Sequence, residues 1–290
     1  ITSYRNISSI LKQLGLKSRK TLKIKEKALA YLLGLLVSDA SKPKGYQFSN
    51  QCLLMLTKRY KWNIKIGSTM CNYFCLLGID ASRIKDNLTI RKRDPSGSYR
   101  WTSEKSPFIT FLLNTCLGLK KNELTTYDKV SMAWLFSAPT YFLISFLQGV
   151  YDGDGSAHNF WRIELSCHPN QDLFTNLLKK LHIISYKDDD AVCISNEKSI
   201  LKAYRLPIFL NADGRMKKLE KVVAMITNRI FFEEIPLSLR EYISSLKNRG
   251  LSSGKVSEII YDEFKRGVSP NTITYCSNKL NKSRLLHNFS

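Results

Sequence analysis

Two aspartates close two segments that read almost alike, Tyr31-Leu-Leu-Gly-Leu-Leu-Val-Ser-Asp-Ala-Ser41 and Phe146-Leu-Gln-Gly-Val-Tyr-Asp-Gly-Asp-Gly-Ser156. Gly34 and Asp39 match Gly149 and Asp154 at one separation of 115 residues. Each segment reads as an apolar helix with a glycine in its middle and an acid at its end. A glycine leaves no side chain between two backbones, so Gly34 and Gly149 would let the helices pack as a close pair. Asp39 and Asp154 would then lie side by side at helix C-termini, where unsatisfied carbonyls add negative potential. Carboxylates held that close repel unless a cation neutralises them, and an oxygen-rich, acid-paired site suits Mg²⁺ with phosphate oxygens and water completing the shell. Such a site could assist hydrolysis of a phosphodiester. Lys105 and Lys198 repeat as well, in Trp101-Thr-Ser-Glu-Lys105-Ser-Pro and Ile194-Ser-Asn-Glu-Lys198-Ser-Ile. Read as the ends of strands leading back toward the motifs, they could orient water or stabilise charge on the phosphate. Their plainer use is contact with backbone phosphates.

The elements that must position these groups follow from periodicity and turn residues. Residues 1–28 are rich in Lys and Arg and read as a basic arm. It holds a short amphipathic helix at Ile7–Leu14 followed by a linker. Residues 29–125 read as motif helix, strands, helix, strands and helix. The strands are Tyr46–Lys58, Arg83–Lys92 and Ser98–Glu104, the last two joined by Asp94-Pro-Ser-Gly97. A helix at Ile66–Leu77 stops at Gly78, and another runs from Lys105-Ser-Pro107 to Gly118. Residues 126–234 repeat the unit with a strand at Trp161–Cys167, a helix at Gln171–Leu181, a hairpin through Asp188–Asp190 and a helix from Ser199. In the strand Trp161–His168, Ile163, Leu165 and Cys167 alternate with Arg162, Glu164, Ser166 and His168, so one face is apolar and the other polar. Residues 235–290 change character to three short helices, Leu237–Asn248, Ser253–Lys265 and Asn271–Leu280.

Composition limits the partner. The 290 residues and 43% hydrophobic content suffice for a globular core, and no run of 18 or more apolar residues suggests a membrane span. A formal charge of +21, from 45 Lys and Arg against 24 Asp and Glu, makes a polyanion the expected partner, with nucleic acid ahead of an anionic membrane surface. Seven cysteines without a CxxC pair suggest reduced core thiols of an intracellular protein, in the cytoplasm or an organelle holding its target; Cys71 and Cys75 share a helical face read as core. Residue 1 is Ile and no signal peptide precedes it, so a missing or processed N-terminus is expected.

The segments Leu32-Leu-Gly-Leu-Leu-Val-Ser-Asp-Ala40 and Leu147-Gln-Gly-Val-Tyr-Asp-Gly-Asp-Gly155 are similar to two copies of the LAGLIDADG motif. Over roughly residues 29–230 the chain resembles a single-chain LAGLIDADG homing endonuclease. The resemblance implies an α/β (α+β) fold: a pseudo-two-fold duplicated αββαββα saddle whose antiparallel sheets enter the major grooves of duplex DNA. It implies a monomer that makes a metal-dependent double-strand break in a long target. Asp39 and Asp154 would share two or three Mg²⁺ or Mn²⁺ ions, helped by the backbone carbonyls of Ser38 and Gly153. Lys105 and Lys198 would line the active site, and Lys58 and His168 would help order water. The first copy departs from the motif. Ala40 replaces its glycine and Val37 its additional acid, which Asp152 keeps in the second copy.

DNA contact is expected from Arg91, Arg93 and Arg100 in the first half and from Arg162, Glu164 and Ser166 in the second. The C-terminal helices resemble a helix-turn-helix that would set Asn271, Thr272, Thr274 and Tyr275 near bases. Two other readings share the charge and the fold. One is a non-catalytic DNA-binding regulator, and the other an RNA maturase that aids intron splicing.

Overall fold

A computed structural model describes residues 3–6, 9, 19–41, 50–87, 96–119 and 128–287. The first half runs α1 (Arg19–Val37), β1 (Ala40–Ser41), β2 (Leu53–Thr57), α2 (Asn63–Leu76), β3 (Ala81–Asn87), β4 (Ser98–Ser103) and α3 (Pro107–Thr110), which continues as a π-helical turn to Cys116. The second runs α4 (Thr140–Asp154), β5 (Gly155–His158), β6 (Arg162–Ser166), α5 (Gln171–Lys180), β7 (Tyr186–Asp188), β8 (Ala191–Ile194), α6 (Glu197–Arg205) and α7 (Asp213–Thr227). Three helices follow, α8 (Leu237–Asn248), α9 (Ser253–Phe264) and α10 (Pro270–His287). The two sheets have the same antiparallel order, β1-β2-β4-β3 and β5-β6-β8-β7. The chain is thus a duplicated α+β unit with a helical extension.

Several boundaries differ from those read in the sequence. The motif helix begins at Arg19, so Lys23–Lys27 belong to its first turns and not to a linker; lysine, glutamate and leucine all propagate a helix well. The strand expected at Tyr46–Lys58 is described only from Leu53 to Thr57, and residues 42–49 lie outside the described residues. Most of the Ile7–Leu14 helix, and Arg91 and Arg93, lie outside them as well. Strand β5 and helix α7 carried no clear sequence signal, because β5 is four residues long and begins with Gly155. Gly78 does end its helix, with φ of +80°.

One core joins the two halves. From Ala28 to Ser38 every residue of the first motif is buried, as is nearly all of α4 from Phe142 to Gly153. A helix apolar on all sides must sit inside a protein, and this pair forms its centre. Within each sheet the inward side chains of alternate positions (Leu54, Leu56 and Trp101; Ile163, Leu165, Val192 and Ile194) pack on this core. The C-terminal helices have a separate core of Ile235, Ile243, Leu246, Val256, Ile260, Val268, Ile273 and Cys276. The cysteines are free: Cys52, Cys116, Cys167, Cys193 and Cys276 are buried, whereas Cys75 is exposed, against the core reading of its helical face.

Candidate functional site

The two motif helices meet at their glycines. A Cβ on Gly34 would overlap the carbonyl oxygen of Phe146 and fall 2.9 Å from the amide nitrogen of Val150. A Cβ on Gly149 would overlap that of Tyr31 and fall 2.9 Å from the nitrogen of Leu35. The contact is closer than a Cβ permits with both backbones in place, so this approach requires glycine at both positions. Farther along, Ser38 packs on Gly153, where a Cβ would lie 2.7 Å from that of Ser38. The Ser38 hydroxyl turns back to donate to the carbonyls of Gly34 and Leu35, each at 3.2 Å. These small residues bring the two helix ends together and with them Asp39 and Asp154.

The two acids are mostly buried and act on each other. Burial raises the pKa of both, the charge of Asp39 raises that of Asp154 further, and one cation, Arg215, opposes the shift at each. Arg215 lies in the first turn of α7, where a positive charge opposes the helix dipole and needs compensation from elsewhere. Its Nη1 donates to the carbonyls of Tyr151 at 2.9 Å, Asp152 at 2.6 Å and Gly153 at 2.7 Å, which closes the C-terminus of α4. Sequence reading missed this residue. No signal in the sequence marked it, because α7 itself was not read there and Arg215 stands among other basic residues, Lys217 and Lys218.

Asp152 holds α7 in place. Its carboxylate accepts from the backbone amides of Leu210 at 2.9 Å, Asn211 at 3.0 Å and Ala212 at 3.2 Å, and from the hydroxyl of Tyr31 at 2.7 Å. This acid, 1% exposed, therefore anchors the chain entering α7 and turns away from the Asp39–Asp154 pair. Val37, its counterpart in α1, is buried among apolar groups.

Strand register separates the remaining candidates. Strand β1 leaves Asp39 with Ala40 opposite Leu54 and Ser41 opposite Leu53, and β4 runs parallel to it, from Ser98 opposite Thr57 to Thr102 opposite Leu53. Lys105 lies beyond that end of β4, three residues past Thr102 and away from the level of Asp39. In the second half Gly155 faces Leu165, Ser166 faces Ala191 and Ile163 faces Ile194, so Lys198 lies beyond the outer end of β8. Both lysines are exposed and neither shifts either acid. The expectation that their strands lead back to the motifs is thus corrected: antiparallel pairing sends them outward. The same register leaves Lys58 and His168 at the inner ends, where the amide of Lys58 donates to Gly97 and that of His168 to Asp190.

A cavity of about 200 Å³ opens at Gly155, the residue after Asp154, and is lined also by Tyr60, Trp62, Ser156, His158, Arg215 and Lys218. Among the described residues no cluster of three or more His, Cys, Asp or Glu could hold a metal ion. Of the expected donors, Asp39 and Asp154 are together, whereas the Gly153 carbonyl already accepts from Arg215. Two adjacent carboxylates whose pKa values burial raises still fit a hard divalent cation, with most of its shell left to water and phosphate.

No protein-family model matches the sequence, and no curated protein matches it. Solved structures do resemble it. The homing endonuclease I-DmoI in complex with DNA and Ca is 14% identical, with a TM-score of 0.46 over 67% of this chain and 97% of that one. Mesophilic variants of I-DmoI are 14% identical, with a TM-score of 0.44 over 62% and 88%. The N-terminal LAGLIDADG domain of DUF199/WhiA is 16% identical, with a TM-score of 0.40 over 72% and 92%.

On the outward side of the two sheets, charges are partly satisfied within the chain. Arg162 pairs with Glu164 and, at 2.9 Å, with Asp188, while His158 lies 3.6 Å from Glu164. Arg100 is half-buried on β4 opposite Met55, and Ser166 is exposed. In the C-terminal unit Asn271 is exposed, but the Thr272 hydroxyl meets that of Ser269 at 2.8 Å. The Thr274 hydroxyl meets that of Ser253 at 2.9 Å, and the Tyr275 ring packs edge-on against Phe232 at 4.7 Å. Thr272 and Thr274 thus have hydroxyl partners within the protein, while the Tyr275 ring stays half exposed beside Phe232. Among the described residues no helix is long and apolar enough to cross a membrane.

Proposed function

We propose that this chain is a divalent-metal-dependent endonuclease of duplex DNA that acts as a monomer on a long, specific site. The observation that carries this reading is the pair Asp39 and Asp154, held at adjacent helix ends by Gly34, Gly149 and Gly153 with a single arginine beside them. Asp39 and Asp154 would hold Mg²⁺ or Mn²⁺, which supplies charge neutralisation at the phosphate and lowers the pKa of water. Arg215 faces the same space and stabilises negative charge that develops on the phosphate. Lys58 and His168, at the inner strand ends, would orient water. The overall charge of +21 favours the polyanion, and the pseudo-two-fold sets one acid toward each strand. The motif resemblance adds that the break promotes spread of a mobile element.

A second reading is a DNA-binding regulator without catalysis. It is favoured by the bonds from Arg215 to Gly153, which commit a carbonyl expected to hold metal and place a permanent cation beside the acids. One experiment separates them. Duplexes selected by the full chain from a randomised library are incubated with Mg²⁺ and with a chelator. The endonuclease reading expects Mg²⁺-dependent cuts on both strands, lost in Asp39→Asn and Asp154→Asn while binding persists. Bound duplexes that stay intact in Mg²⁺ and Mn²⁺ would overturn it and leave the regulator.

A further inference from the structure

We propose that the C-terminal helical unit is a one-sided extension of the DNA interface, fixed end-on to the second sheet so that the first turns of α10 continue the track that β5 and β6 begin. The inference rests on the duplex-DNA reading above and adds a direction to it.

The unit has its own core but no free hinge. Gly267 donates to Asn228 at 2.8 Å and accepts from Ile230 at 2.9 Å, and a Cβ on it would overlap the carbonyl of Met225. The buried Ser257 hydroxyl donates to Val268 at 2.6 Å and sits 3.7 Å from the sulfur of Met225. Glu258 ties the unit at a third place. It accepts from Asn159 at 2.9 Å and from Lys221 at 2.8 Å, so one carboxylate of α9 joins the β5–β6 turn to α7.

That turn marks the outer end of the second sheet, since β5 leaves Asp154 at Gly155 and β6 returns from Arg162. The ring of Phe160 lies against Gly254, where a Cβ would come within 2.6 Å of it. Ser253, the next residue, meets Thr274 of α10. Asn271 and Thr274 therefore stand, exposed, just past the tip of the second hairpin. The four residues of β5 cover about 13 Å, which sets how far the hairpin tip stands from Asp154. On B-form DNA that is about four base pairs. Exposed Lys265 and Arg266 add phosphate contacts on the same unit. Among the described residues the first half carries no such helical unit, and the footprint proposed is lopsided.

The test uses the full chain with Cys71 and Cys75 replaced by serine, on a duplex selected from a random library. A chelated iron that cuts nearby DNA is attached in turn at Asn271→Cys and at Ser166→Cys. The expected result is cuts on one side of the protected stretch in both cases, with those from position 271 farther from its centre. Cuts from position 271 at the centre, on both sides, or nowhere on a duplex that Ser166→Cys does cut would overturn the inference and leave the DNA reading standing. Failure to select any duplex would overturn both. As a second measure, Asn271→Ala combined with Thr274→Ala should weaken binding about tenfold on the full duplex and not at all on one trimmed at that end. Equal weakening on both would also overturn it.

Discussion

Gly34 and Gly149 each lie against the backbone of the opposite motif helix at the residue three before the other's glycine, Phe146 for Gly34 and Tyr31 for Gly149. The contact is the same from both sides, so the pseudo-two-fold axis passes between them. Gly34→Ala and Gly149→Ala should each destabilise the chain by about 3 kcal/mol, because the methyl meets backbone on a helix that cannot retreat without opening the core. Denaturant unfolding checks both. Two sharply unequal losses would show that the helices do not cross there symmetrically.

The acid pair costs stability. Burial lifts the folded pKa of Asp39 from 3.8 to about 6, and burial with repulsion by Asp39 lifts that of Asp154 from 3.8 to about 7, so the folded chain binds more protons than the unfolded one between these values. Stability is therefore greatest below about pH 4 as far as these groups decide it, and falls as pH rises through 6 to 7. Asp154→Asn should raise the melting temperature by about 2–4 °C at pH 8 in chelator, with the gain gone near pH 4. An unchanged melting temperature at pH 8 would mean that the carboxylates are better solvated than their burial indicates.

Arg215 and the two lysines make opposite predictions. Arg215→Met should lower the cleavage rate about 100-fold with little change in affinity for the same duplex, since its charge acts where the phosphate gains charge. Lys105→Met and Lys198→Met, at the outer strand ends, should leave the rate within about threefold and weaken binding in a salt-dependent way. Single-turnover rates and binding curves on one duplex separate these effects. A large rate loss in the lysine variants would restore the assignment that register argues against.

Asp152→Ala should destabilise the chain by about 3 kcal/mol, because three backbone amides at Leu210–Ala212 lose their acceptor inside the protein. Deuterium exchange should rise first at those amides and at the start of α7. Exchange confined to other segments would place the anchor elsewhere.

Glu164→Gln should release Arg162 from one of its two acidic partners. The variant is expected to bind duplex DNA more tightly at low salt and to lose that gain as salt rises. Titrations at two ionic strengths would reveal it, and weaker binding at low salt would instead make Glu164 a direct reader of bases.

Much of the architecture was legible in order. Apolar runs of helical period, glycine stops and alternating strands gave two similar units and three final helices, and the paired Gly-x-x-x-x-Asp segments gave the helix pair with its acids. Such features are local, set by a residue and its near neighbours. Register is not local. Lys105 and Lys198 follow strands in both halves, but whether a strand end approaches or leaves the acids depends on which strand it pairs with and in which direction. Arg215 is a plainer case, since 61 residues separate it from Asp154 and its role exists only because Asp152 captures the chain before α7. The sequence determined that two acids would share one place; tertiary pairing decided which cation stands beside them, because a charge acts through space and not along the chain.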